Sequence, residues 1–465
     1  MFRARAVIVT TVAFLAAACA PGPGLAQSEP TPIPTTSAAP PTTTTTTTAP
    51  DPFTPGPEIP QIAPLDLFPV APDELPPLDR VEGVIAFHGA DAAIRSGRST
   101  TDLDTGTLPA QPTWSRDGSR LALVSLEGRQ SEIDIYDGAT GTLIAGAPTD
   151  RLYFFLSWSH DGTRIAALGP GTDDNGEPQT VLDILDADGA VLHADAASAQ
   201  SLYVAWDPDQ PRLAAHADDR LVRVDADGTA TDLGAVGTGF FAPKWIPSSD
   251  ELVLTTDIEG TTFLVRRSID GQDTLRSLGP AEAETGISVN PDGDVAAISR
   301  SFDVENDPAA ERIDLPFLPQ TGTTRSGSVE IADLDTGDRV EVFTGFTLWV
   351  EWNPQGTHLL MYEADVAAGT GTWWVYEHRP GLEPLPATEI ATFEPTPIFL
   401  RSYLVFADQF IESPRLWSPD GTEFVYAELT DRGSLIRTAV VDGPGQPTAI
   451  GTGEVGFWSP SPPAR

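Results

Sequence analysis

The residues of this chain whose types and spacing could do chemistry are few and dispersed. Asp183, Asp186 and Asp188 precede Gly189, and Asp225 and Asp227 precede Gly228. Such spacing gathers carboxylate oxygens around a sharp turn, as a calcium loop does. Neither stretch carries the distal bidentate glutamate of a full loop, and a hairpin turn built on Asp and Gly explains both, so no metal is assigned. The six histidines, His88, His160, His193, His216, His358 and His378, stand without ligand spacing. The sequence holds no Gly-x-Ser-x-Gly elbow, no His-Glu-x-x-His, no Gly-Lys-Ser/Thr phosphate loop and no dinucleotide fingerprint. The expectation is a protein that is not an enzyme and needs no cofactor. A site converging on a central channel from distant loops is the catalytic arrangement left open.

A second set of residues points to contact rather than reaction. Phe399, Tyr403, Phe406 and Phe410 recur at i, i+4, i+7 and i+11, the period of one helical face, and Trp373 and Trp374 lie upstream. Two readings follow. The stretch is a short helix capping its own blade with its aromatics buried, or the six aromatics form a partner-binding ledge exposed at a rim. A second insertion, residues 301–327, is acidic with an apolar tip at Leu315-Pro-Phe-Leu-Pro319.

The elements that must position these residues are repeats. An aromatic residue, a Ser/Asn/Asp, then Pro-Asp-Gly or a variant of it opens each unit at Trp114, Trp158, Trp206, Trp245, Val289, Trp352 and Trp417, and an eighth start at Trp458 stops at the C-terminus. Successive positions lie 44, 48, 39, 44, 63, 65 and 41 residues apart. Pro presets φ, Asp bonds the turn backbone and Gly accepts its exit geometry, so each motif is a strand, a tight turn and a returning strand of alternating character. A second turn follows about twenty residues on in most units, as in Tyr136-Asp-Gly138, Asp186-Ala-Asp-Gly189, Asp225-Ala-Asp-Gly228 and Asp335-Thr-Gly337, with Asp104-Thr-Gly106 counted among them. Two hairpins make a four-stranded sheet. The strands at 83–87, 92–95 and 101–106 lack a Trp strand, and the Trp458 strand lacks partners. Pairing them closes a ring and removes its exposed edges. The fold expected is all-β, a β-propeller of about eight four-stranded blades over 83–465, with seven as the alternative. The tryptophans are expected to plug the spaces between blades.

The N-terminus reads as an address. Arg3 and Arg5 precede a short apolar run, too short to span a membrane, that ends in Leu15-Ala-Ala-Ala-Cys19. That ending resembles a bacterial lipobox, with the leucine one place early, and Cys19 is the only cysteine. The resemblance implies a lipoprotein-type signal over 1–19, lipidation at Cys19 and attachment to the membrane through the lipid alone, on its outer face or in the periplasm. The alternative is an ordinary signal cut after Ala26 and a secreted protein. Residues 20–82, rich in Pro and Thr, have no apolar period and are expected to form a disordered stalk.

Charge excludes one class of partner. The chain has 67 acidic and 27 basic side chains, a formal net charge of −40, and Lys244 is its sole lysine. Such a surface repels phosphate backbones, so no nucleic acid is expected.

The Trp-Ser-Pro-Asp-Gly units with their downstream Asp-x-Asp-Gly turns resemble PD40 repeats, as in TolB-like propellers, over roughly 83–465; the WD40 pattern fits less well, because its Gly-His element is missing. The resemblance implies architecture and, by analogy, protein partners in the cell envelope. The reading is an exported, tethered binding scaffold. Its alternatives are a carbohydrate or small-molecule receptor and an envelope hydrolase or lyase.

Overall fold

The computed structural model describes residues 83–461 apart from 90, 98, 106, 128–129, 238–241, 271–274, 282–284, 304–324, 366–367, 412 and 443–445. Cys19, the 20–82 segment and most of the acidic insertion therefore lie outside the described residues.

Eight antiparallel sheets follow one another around a ring. We number the blades by their first strands: Thr107–Trp114, Phe155–Trp158, Leu202–Trp206, Lys244–Trp245, Thr285–Val289, Thr347–Trp352, a short stretch at 414–418, and Val455–Trp458. Seven of the sheets have four strands, laid side by side from first to fourth, and the seventh has three, with the 414–418 stretch joined to it by the single bridge Trp417↔Phe424. The eighth is closed by the two ends of the chain, because Val455–Trp458 pairs with Val84–His88 in the register Ile85↔Trp458 to His88↔Val455. Closure leaves no open first or last blade.

Second strands such as Arg164–Thr172 and Leu213–Ala217 are buried over continuous runs rather than at alternate residues. The alternation expected from the sequence fails here because each blade is sandwiched between two others, so both faces of its inner strands are covered. Alanines fill the tightest places: Ala122, Ala166, Ala167, Ala214, Ala215, Ala296 and Ala297 are all fully buried.

The repeated tryptophans join blades by a rule the sequence did not display. Except at Trp458, whose Nε1 makes no such bond, each indole Nε1 donates to the carbonyl of the residue just before the matching position of the previous blade: Trp158 to Thr113 (3.1 Å), Trp206 to Ser157 (2.9 Å), Trp245 to Ala205 (3.1 Å), Trp352 to Ser288 (2.9 Å) and Trp417 to Glu351 (3.1 Å). Trp114 crosses the closure seam to Phe457 at 3.3 Å. Val289 interrupts the series, having no donor.

Antiparallel order places both turn motifs of a blade on one side. First-to-second and third-to-fourth strand turns form a turn face; second-to-third connections and the links between blades form the opposite loop face. Asp104 and Thr105 belong to the second kind, since they follow the outermost strand Ser99–Asp102. On the turn face Ser115 Oγ donates to Asp117 (2.7 Å), and Asp117 accepts the Ser119 N–H (3.0 Å). Gly118 closes this turn at φ +69°, where a Cβ would lie 2.8 Å from the Ser461 carbonyl and 2.4 Å from Ser459 Oγ. Gly162 has nearly the same φ, +67°, and open space around it. Gly162→Ala is expected to cost about 1 kcal/mol, the left-handed strain alone. Gly118→Ala adds a backbone overlap at the seam, for a total of about 2–3 kcal/mol. Chemical denaturation of the two variants side by side checks this, and equal losses would remove the seam contact from the account.

Candidate functional site

The second insertion does not sit on a rim. Residues 396–411 leave the sixth blade on the loop face, enter the central channel and descend toward Ser413 and the short first stretch of the seventh blade. The segment is built of a π-helical turn (Phe399–Tyr403), a 3₁₀ turn (Leu404–Phe406) and one α turn (Ala407–Phe410), rather than one regular helix.

Its side chains reach the walls on nearly every side. Gln409 bonds both backbone groups of Val204 in the third blade, accepting from N–H and donating to C=O at 2.8 Å each. Asp408 accepts the Ala242 N–H, and Lys244 Nζ of the fourth blade lies 3.3 Å from its carboxylate and 2.6 Å from its backbone oxygen. Ser413 Oγ donates to Leu156 O (2.6 Å) and meets Thr113 Oγ1 (2.7 Å), engaging the second and first blades. Tyr403 OH lies 3.2 Å from His88 Nε2 in the eighth blade, and Thr396 donates to Glu454 O beside it. Phe399 packs on Trp349 of the sixth blade and Phe410 on Phe155 of the second, with centroids 6.1 and 5.5 Å apart. The plug thereby merges the apolar spaces between blades two and three, six and seven, and seven and eight into one core, whereas the other interblade cores remain separate.

This corrects the exposed-ledge reading. Trp373, Phe399, Tyr403 and Phe410 are buried, and Trp374 and Phe406 are partly so. Trp373 stacks edge-on against Tyr362 and Phe424, while Trp374 donates to Glu363 at 2.9 Å. The capping reading located the burial but not its place, which is the axis of the whole ring. Sequence reasoning missed Lys244, Asp408 and Gln409. The clues were a lone lysine among arginines and an Asp-Gln pair inside an aromatic period.

Two wall groups have altered proton affinities. Burial lowers His88 to about 4. Burial raises Glu351 to about 7, against the opposing bond from Trp349 Nε1 (3.0 Å) and the Leu416 N–H (3.3 Å).

The acidic turns considered as calcium loops have other partners. Asp186 caps its own turn through the N–H groups of Asp188 and Ala190. Asp188 pairs with Arg120 of the neighbouring blade (3.2 Å), and Asp225 with Arg223 (3.1 Å). Asp227 accepts the Thr229 N–H (3.0 Å). Arg212 likewise reaches across to Asp250 (2.5 Å) and Asp270 (2.9 Å), with its guanidinium 5.6 Å from the Trp245 ring centroid. The Asp–Gly turns are thus stitched to arginines, and among the described residues no group of three or more candidate metal ligands forms.

Asp183 belongs to a different site, on the loop face. A cleft of about 770 Å³ opens on the second blade, lined by Arg151, Gly171, Asp173, Gln179, Asp195 and Ser198 among others. The long strands Arg164–Thr172 and Pro178–Asp186 form one wall. At its base Asp183, almost fully buried, binds Arg151 Nη1 (2.6 and 2.5 Å), the Tyr153 hydroxyl (2.6 Å) and the Asp195 N–H (2.7 Å). Asp195 stands on a bulge at φ +52° and holds Arg151 Nη2 at 2.8 Å. The guanidinium is therefore fixed in place, with acidic side chains around the opening.

Fold and channel together define a closed, eight-bladed β-propeller with an internally plugged axis. No family model matches the sequence, and no curated protein does. Among solved structures, the chain is similar to a eukaryotic initiation factor, at 12% identity over 82% of this chain and 99% of that one, with a TM-score of 0.50. It is also similar to the dihydro-heme d1 dehydrogenase NirN, at 12% identity over 83% and 81% of the two chains, with a TM-score of 0.52. TolB from Acinetobacter baumannii is a further neighbour, at 15% identity over 63% and 61%, with a TM-score of 0.34. At these identities the likeness is one of fold.

Proposed function

We propose that this chain is an exported, membrane-tethered scaffold that binds a protein partner on the loop face of its propeller. The observation that carries the reading is the filled channel. An open axis is where a ring of this kind offers a small ligand its deepest site; here that volume is taken by the chain's own aromatics. Recognition then falls to the outer surface, where the cleft at Arg151 and the two strands that lead into the acidic insertion all end on one face. The rigid ring holds that face in place, and its net negative charge suits a partner with a basic surface. A specific observation favours a second reading, a receptor for a small polar or glycan ligand: the cleft is lined with Arg, Asp, Gln, Ser and Thr.

Contact is tested by placing a photo-crosslinking amino acid at Asp174, on the cleft, and in a second strain at Thr140, on the turn face. Amine-directed cross-linkers are unsuited, because the sole lysine is buried. An envelope protein captured reproducibly from position 174 and not from 140 supports the scaffold. Capture of none, with sugar or metabolite binding to the purified protein, transfers support to the receptor. For the tether, Cys19→Ala is expected to move the protein from the membrane pellet to the soluble fraction, since a lipid chain anchors by burying its methylenes. An unchanged distribution counts against the lipid anchor.

A further inference from the structure

The filled channel supports one step more, independent of what the loop face binds. We propose that the central channel is a peptide-binding site whose resident ligand is the chain's own segment 396–413.

The wall reads this segment as a site reads a ligand. Along the third blade, one backbone N–H and one C=O, both of Val204, turn toward the axis and are met by a single carboxamide, Gln409. The fourth blade supplies an ammonium and an N–H to Asp408. The second blade supplies a carbonyl to Ser413, and the eighth an imidazole to Tyr403. Aromatic surfaces at Phe155, Trp349 and Phe457 receive Phe410, Phe399 and Tyr403. The ligand so defined is a short aromatic peptide bearing adjacent acid and amide side chains.

The segment is also lightly built into its own blade. It runs into the stretch 414–418, which is joined to the rest of the seventh blade by one isolated bridge, Trp417↔Phe424, and a few turn bonds. The other seven blades have regular first strands, and the remaining three strands of the seventh are fully paired among themselves. Departure of the plug would therefore break no regular sheet, and its retention rests on the side-chain anchors. An outside peptide of the same chemistry can enter only in competition with it, which makes the plug a gate on the channel.

Hydrogen exchange and peptide binding on the full chain decide the matter. In the wild type, amides of 399–411 are expected to exchange at least tenfold faster than those of the first five blades' inner strands. Gln409→Ala, which leaves both Val204 groups unpaired, is expected to accelerate the plug amides a further tenfold or more and leave those strands unchanged. A fluorescein-labelled peptide of sequence 394–413 should bind Gln409→Ala at least tenfold more tightly than wild type. A peptide altered at the positions of Asp408 and Gln409 should bind neither. Plug amides that exchange only together with the whole ring overturn the proposal, as does a folded Gln409→Ala protein that takes up no peptide. If Gln409→Ala does not fold, the milder Gln409→Asn is tested in the same way. Failure of both to fold would make the segment ordinary core and overturn the proposal as well.

Discussion

Replacing Lys244 by Met is expected to destabilise the protein by about 3–5 kcal/mol, the range for removing one partner of a buried ion pair. Lys244 is only 2% exposed, and its ammonium meets both the carboxylate and the backbone oxygen of Asp408. Without it, Asp408 keeps the Ala242 N–H but stays charged inside the channel. The loss arises mainly from that stranded carboxylate, so adding Asp408→Asn should restore more than half of it: the amide oxygen still accepts from Ala242 and carries no charge. Guanidinium unfolding of wild type, both single variants and the double variant closes the cycle. A Lys244→Met loss below about 1 kcal/mol would show the pair to be dispensable and the plug to be held by its aromatics. Replacing both partners removes a buried charge pair at little net cost, which separates the worth of the pair from the harm of halving it.

Glu351 governs the second large effect, and the effect has a pH window. Its carboxyl titrates near 7 in the folded chain against 4.5 when unperturbed, because burial disfavours the charged form. A raised folded pKa means that the folded state binds more protons between those values. The group's contribution to stability is therefore full below about pH 4.5 and is lost as the pH rises through 7. Glu351→Gln stays neutral throughout. Relative to wild type, the variant should gain about 3 kcal/mol between pH 5 and pH 8.5. Gln offers one acceptor to two donors, Trp349 Nε1 and the Leu416 N–H, which sets a constant offset at every pH. The difference between the two pH values is thus the quantity to measure, by denaturant midpoint. Parallel pH profiles for the two proteins would sink the assignment. His88 acts in the opposite sense: its folded pKa is lowered to about 4, so stability present above 6.5 is lost as the pH falls toward 4. The two windows overlap between about pH 4.5 and 6.5, but the His88 contribution is common to wild type and Glu351→Gln and cancels in their difference.

The aromatic period at 399, 403, 406 and 410 shows how far a sequence carries a site. It announced a helical stretch and left open whether its aromatics are buried or exposed; the stretch is three short turns of different pitch with most of those aromatics buried. The period could not say what the segment is buried against, because its partners, among them Trp349, Phe155 and His88 for the aromatics and Val204 and Lys244 for Gln409 and Asp408, come from distant blades of the ring. The same holds for the cleft: Asp183 was visible as an acid before a turn, but its partners are Arg151, 32 residues before it, and the N–H of Asp195 on a bulge that no local pattern announces.

What the sequence determined by itself was the ring. Its turns are local chemistry, Pro, Asp and Gly at fixed offsets, and the missing strands at the two ends could be matched by counting. Tertiary structure alone decided that the segment around 399–411 runs down the axis. Local bonds repeat with the sequence, whereas the channel comes into being only when all eight blades are in place. A segment whose partners are the channel walls has no address until then.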